Sequence, residues 1–68
     1  MNQAIRAVRI KQGLTQSQVA IQVGITVISY QRIEYGTQRP SLETAIKIAK
    51  ALNTTVEDLW NYKKEDTL

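Results

Sequence analysis

LTQSQVAIQVGITVISYQRIEYG, residues 14–36, decides the fold. It divides into two short helical segments joined by a tight turn. Thr15 opens the first, because a hydroxyl at the N-cap accepts from a backbone N–H two or three residues on. Gly24 breaks it, and Thr26 opens the second, which ends near Tyr35, where Gly36 suits a left-handed stop. Apolar Val19, Val23, Ile25, Tyr30 and Ile33, with small Ala20 and Gly24 between them, predict one buried side on each helix and a close approach where they meet. The outward side of the second helix, about residues 26–35, stays free to read a partner.

Outward from this pair the helical reading continues. Before it, a helix from about Asn2 to Gln12 turns Ile5, Val8 and Ile10 inward and stops at Gly13. After it, Thr37-Gln38-Arg39-Pro40 forms a polar loop, and Ser41 caps a fourth helix. On that helix Leu42, Ala45, Ile46, Ala49 and Leu52 recur at the three-and-four spacing of one face. Asn53 ends it, and Thr54 or Thr55 caps a short last helix, Val56 to Trp60. Acidic Glu57 and Asp58 fall in its first turn, as the macrodipole prefers. No segment alternates convincingly as a strand and nothing repeats. The expected architecture is all-α: a compact five-helix bundle over residues 1–62, with residues 63–68 as a short polar tail. Short connections keep consecutive helices adjacent, so helices one, four and five hold the central pair at a fixed angle.

Composition narrows the function. Sixty-eight residues allow one domain of modest core, and 43% hydrophobic with 22% charged residues suits a globular chain rather than a disordered one. Nothing approaches the roughly 18 consecutive apolar residues of a membrane span, and the N-terminal stretch does not read as a signal peptide. The absence of cysteine suits a reducing compartment, so a cytoplasmic protein is expected. With neither cysteine nor histidine, the usual nucleophile–base pairs and nearly all transition-metal sites are missing. Three glycines make no phosphate loop, and no acidic pair lies in an apparent apolar pocket. The reading is therefore not an enzyme, with no metal, no cofactor and no evident small-molecule substrate. The net charge of +3 favours an anionic partner only mildly, and its basic residues are spread along the chain rather than run together.

Between Ile5 and Trp60 the chain resembles the phage repressor and Cro type of helix-turn-helix protein, the XRE family. The matching pieces are Arg9 four before Gly13, Leu14-Thr15-Gln16, Ala20, Gly24, Arg32-Ile33-Glu34, Gly36, Pro40-Ser41-Leu42, and Ile48-Ala49-Lys50-Ala51-Leu52. Several signals in the right order make this stronger than any lone capped helix pair.

The resemblance implies a lambda-repressor-like bundle whose third helix enters the major groove of double-stranded DNA. By that analogy Val27, Ile28 and Arg32 lead in reading bases, with Gln31 beside them on the outer side of the wheel. An arginine makes paired bonds to guanine, a glutamine serves adenine, and apolar groups suit thymine methyls. The implied half-site therefore contains A·T pairs and a guanine. Val27 and Ile28 depart from the polar residues common in the family, which leaves open that both pack on a neighbouring protein. Thr15 and Gln16 at the start of the second helix, Ser29, and Thr37, Gln38 and Arg39 in the loop match positions that line phosphates. A helix N-terminus supplies free donors there. For Gln16 and Arg39 a purely solvated role stays open, for Ser29 a place on the helix flank, and Thr15 is primarily a cap. Arg9 and Glu34 match a framework ion pair joining the first helix to the end of the third. Leu59, Trp60 and Tyr62 are either core or the face of a homodimer, since aromatic groups supply large contact area.

Two functions are consistent with this. The first is a sequence-specific transcriptional regulator, a repressor that occupies a palindromic operator as a homodimer. With nearly every residue assigned to the bundle, its control is expected from protein concentration or an outside partner. The alternative is a protein-interaction module, antitoxin-like or an adaptor, built on the same fold.

Overall fold

Each helix after the first begins where a side chain satisfies free N–H groups of the opening turn. The computed structural model describes residues 3–60, and the helices are α1 (Gln3–Lys11), α2 (Gln16–Val23), α3 (Val27–Tyr35), α4 (Leu42–Ala51) and α5 (Val56–Trp60). Thr15, Thr26 and Ser41 accept from the backbone N–H three residues on, at 3.0, 3.0 and 3.1 Å. Of the two candidates before α5, Thr55 is the cap, receiving the Asp58 N–H at 3.1 Å, while the Thr54 hydroxyl donates to the Asp58 carboxylate. Thr15 completes a reciprocal box: its own N–H donates to Gln18 Oε1 at 2.8 Å.

The pair α2–α3 turns at Gly24 (φ +89°), and α3 stops at Gly36 (φ +88°), both in the left-handed region that glycine enters without strain. A methyl group built on Gly24 would meet nothing within 4 Å. Its requirement is therefore the backbone angle alone, and not the close approach of the two helices expected of it. Ala20, fully buried, is the small residue inside the pair. At the end of α4, Asn53 takes φ +59°, a conformation asparagine tolerates better than most residues.

Helix α2 packs on α3 and α4, α1 on α3 and α5, and α4 on α5. Ile5, Val19, Tyr30, Ile48 and Leu52 are wholly buried at the centre, with Val23, Ile33, Ala49 and Leu59 nearly so. Three inward assignments are corrected. Ile10 is half exposed, since it lies about 140° round α1 from Ile5. Leu42 and Ile46 are exposed as well, and Ile48 takes the inward place on α4. The buried set Ala45, Ile48, Ala49 and Leu52 has the spacing i, i+3, i+4, i+7, and Ile46 sits about 100° from Ala45 on the far side from Ile48. Tyr62, expected at the core or a dimer face, and the expected tail of residues 63–68 lie outside the described residues. Among the described residues no helix is long and apolar enough to cross a membrane.

Candidate nucleic-acid interface

Helix α3 divides sharply by face. Tyr30, Ile33 and Glu34 are buried, whereas Ile28, Arg32 and Tyr35 are exposed and fall within about 60° of one another on the opposite side. Of the sequence-expected readers, Ile28 (61% exposed) and Arg32 stand on that outer stripe. Val27 and Gln31 do not. Both lie on the flank toward α2, half-buried, and Val27 packs against the core. Tyr35 joins the stripe unannounced; counting i, i+4, i+7 from Ile28 would have found it.

The inner face is fastened by charge. Arg9 lies four residues after Ile5, so it shares the buried face of α1 and reaches α3. Its Nε–H and Nη2–H donate to Glu34 Oε1 and Oε2 at 2.9 and 3.0 Å, and its Nη1–H donates to the Leu14 carbonyl at 2.9 Å. One guanidinium thus joins α1, the turn before α2 and the end of α3. The pair is well covered, with 12% of the Arg9 side chain and 1% of the Glu34 side chain exposed. Burial by itself would raise the Glu34 pKa, but the hydrogen bonds donated by Arg9 and Gln16, together with the Arg9 charge, outweigh it and hold the carboxyl below its ordinary value. Tyr30 shifts the other way, its phenol pushed up first by burial and then by the Glu34 carboxylate. Its hydroxyl lies against the ion pair without a hydrogen bond of good geometry among the described residues.

A second feature was not legible beforehand. Gln16 Nε2–H donates to Glu34 Oε2 at 3.1 Å, and Gln31 Nε2–H donates to Gln16 Oε1 at 3.0 Å. The residue expected at a phosphate and a residue expected at a base are bonded to each other. Sequence spacing carries no signal for this contact, because it depends on the angle between α2 and α3.

Around α3 lie the other expected contacts. The first intrahelical bond of α2 runs from Val19 N–H to the Thr15 carbonyl, so the N–H groups of Gln16 and Ser17 precede the ladder and remain available as donors. Thr15 Oγ1 accepts within the cap, and its hydroxyl proton remains to donate. Ser29 is half-buried beside its cap, with its backbone N–H on Thr26. Thr37 and Gln38 fold back on α3, their N–H groups donating to the Arg32 carbonyl at 2.9 and 3.2 Å, which fixes the loop's path. Arg39 is exposed, and neither it nor Arg32 pairs with a described carboxylate. At the other end of the chain, Leu59 is 2% exposed and belongs to the core, and Trp60 is half-buried against it. No three described carboxylates come together as a metal site.

The arrangement is one helix with a free polar and apolar stripe, flanked by the start of α2, whose Gln16 meets Gln31, and by a polar loop that carries Arg39. The Helix-turn-helix family model matches residues 5–59. An uncharacterised HTH-type transcriptional regulator of Archaeoglobus fulgidus is 38% identical over 66 residues, covering 97% of this chain and 94% of that protein. The cryptic phage CTXphi transcriptional repressor RstR of Vibrio cholerae is 40% identical over 45 residues, which cover 66% of this chain and 40% of the repressor. Among solved structures, the restriction-modification controller protein C.AhdI of Aeromonas hydrophila superposes with a TM-score of 0.79 at 30% identity, over 84% of this chain and 86% of that one.

Proposed function

Because the chain belongs to the Helix-turn-helix family, of the XRE type, we propose that it is a repressor that binds a palindromic operator as a homodimer, with α3 in the major groove. That it is a DNA-binding helix-turn-helix regulator follows from the family and from relatives named as transcriptional regulators. The finer reading rests on one observation above the rest: α3 is locked into the core on one side and presents Ile28 and Arg32 unpartnered on the other.

In this reading Arg32 donates two N–H groups to the N7 and O6 of a guanine, and Ile28 rests on a thymine methyl. Gln31 and Val27, on the flank, meet bases at the edge of the contact. Phosphates are held by the free N–H groups at the start of α2, the Thr15 hydroxyl, Gln16, Ser29, Thr37, Gln38 and Arg39, and these supply affinity without sequence preference. The DNA-binding domain of this reading spans residues 1–62. A second copy supplies the other recognition helix, about 34–36 Å away, one turn of the duplex. Exposed Leu42 and Ile46, one turn apart on α4, together with half-buried Trp60, are apolar surface for such a pairing. Repression follows by occupancy, and similarity to a phage repressor supports that sign of control.

The test is selection of bound duplexes from a random pool with the purified protein at moderate salt. An enriched inverted repeat, with half-sites about one turn apart, is the expected result. Absence of enrichment from protein shown to be folded would overturn the reading and turn the search to protein partners.

A further inference from the structure

Exposed large apolar side chains stand singly on α1 and α2, as Ile10 and Ile21, and those of α3 belong to the stripe proposed for DNA. On α4, Leu42 and Ile46 lie one turn apart and make a continuous exposed strip. Charges border it. Glu43 and Lys50 are both exposed and seven residues apart, so they fall within about 20° of each other on the wheel, and about 50° beyond Ile46. Along the helix axis Ile46 stands nearly halfway between them. Lys50 pairs with no described carboxylate. Glu43 meets Lys47 at 3.4 Å, in a pair exposed on both sides and therefore weak. The acid and the base are both free to turn to a partner. Helix α4 packs on α2 and α5, and α3 on α1 and α2, so a partner on the α4 strip need not cover the outer stripe of α3.

We propose that this strip is the face on which a second copy of the chain docks, its α4 lying antiparallel with Ile46 against Ile46 at the two-fold axis. A two-fold interface must be complementary to itself, and the strip is so in one direction only. Antiparallel, with Ile46 central, each Glu43 faces the second copy's Lys50, and each Leu42 rests on the aliphatic stem of that lysine. Parallel, Glu43 would meet Glu43 and Lys50 would meet Lys50, and like charges across an interface repel. The order acid, isoleucine, base along one helix thus selects both the occupant and its direction. The inference rests on the homodimer proposed above and assigns its face.

Sedimentation of the full chain, alone and on the selected duplex, tests the dimer first. A single copy under every condition would overturn the homodimer reading and this face with it. Where a dimer forms, variants decide the face. The chain has no cysteine, so Ile46→Cys carries its sole thiol, and packed helices roughly 8–10 Å apart bring residues on the axis within reach of a disulfide. Mild oxidation with diamide is expected to give covalent dimers from Ile46→Cys and none from Ile21→Cys, although Ile21 is the more exposed. Glu43→Lys and Lys50→Glu should each dimerise about tenfold more weakly than wild type, since each sets like charges together. Mixed, these two variants should pair with one another, because every contact across the axis is again acid on base. Helical circular dichroism of each variant separates loss of pairing from loss of fold. A dimer without the Ile46→Cys cross-link, or single variants that do not recombine, would overturn this face, leave the homodimer standing, and assign the strip to a different partner.

Discussion

The two faces of α3 differ in how completely their side chains are engaged. On the inner face Tyr30 and Ile33 are enclosed by α1 and the core, and Glu34 accepts from both Arg9 and Gln16. On the outer face Ile28, Arg32 and Tyr35 have no described partner of comparable strength. A nine-residue helix is too short to hold its shape in water alone, so the inner face is what keeps the outer one rigid. Substitutions should therefore separate cleanly: inside they move stability, outside they move binding.

The largest effect is expected from Glu34→Ala. It strands the Arg9 guanidinium in a site 12% exposed, and breaking such a buried pair costs about 3–5 kcal/mol. For a domain of this size that is a fall in Tm of about 15–30 °C by circular dichroism. Glu34→Gln keeps the shape and loses the charge, so it should fall between. A shift under about 5 °C for Glu34→Ala would mean the inner face is not held by this pair.

The same pair predicts an acid limit. The Glu34 carboxyl is held below its ordinary value of 4.5, so the folded state binds its proton less readily than the unfolded chain. Its stabilisation is complete above 4.5, declines as pH falls through that value, and is gone once pH drops below the folded-state pKa. Urea titrations of wild type and Glu34→Gln should therefore show a stability gap at pH 7 that closes progressively below pH 4.5. A gap that stays constant would sink the claim that the charge on Glu34 matters to folding.

The inner and outer faces were not equally readable from sequence. The caps at Thr15, Thr26 and Ser41, the glycine turns and the buried positions of α2 and α3 are local: hydroxyl, glycine and periodicity each act within one turn of chain. They were all legible. Positions at the edge of a face were not, because neighbouring helices decide where the edge falls. The face drawn from Leu42, Ala45, Ile46, Ala49 and Leu52 leaves Ile48 out, although it is wholly buried, and Ile10, Leu42 and Ile46, turned inward in the reading, are all exposed. The same limit applies to the candidate site. The helical wheel turns Val27, Ile28, Gln31 and Arg32 outward, and of these Ile28 and Arg32 stand on the exposed stripe while Val27 and Gln31 lie on its flank. The Gln16–Gln31 bond spans fifteen residues and depends on how α2 crosses α3, which no motif encodes.

On the outer face the larger effect should be that of Arg32→Ala. Its side chain is exposed and pairs with no described carboxylate, so the melting temperature should move by only a few degrees, as for surface substitutions generally. Affinity for the selected duplex should fall by about 1–3 kcal/mol, with lost preference for guanine at one position of each half-site. Equal losses on selected and unrelated duplexes would recast Arg32 as a phosphate contact.

The smallest effect, and the sharpest test of the division, comes from Ile28. An isoleucine 61% exposed has little apolar burial to lose, so Ile28→Ala should change stability by no more than about 0.5 kcal/mol. Its effect on DNA should be confined to one A·T pair, where the thymine methyl loses an apolar neighbour, and should be weaker than that of Arg32, since no hydrogen bond is involved. Substituting uracil for thymine removes the methyl from the DNA side. The two changes should then not add: once the methyl is gone, Ile28→Ala has nothing further to remove, and a double-mutant cycle of protein and base reads that coupling directly. Strict additivity would place Ile28 away from the thymine and leave its exposure to be explained by a protein partner.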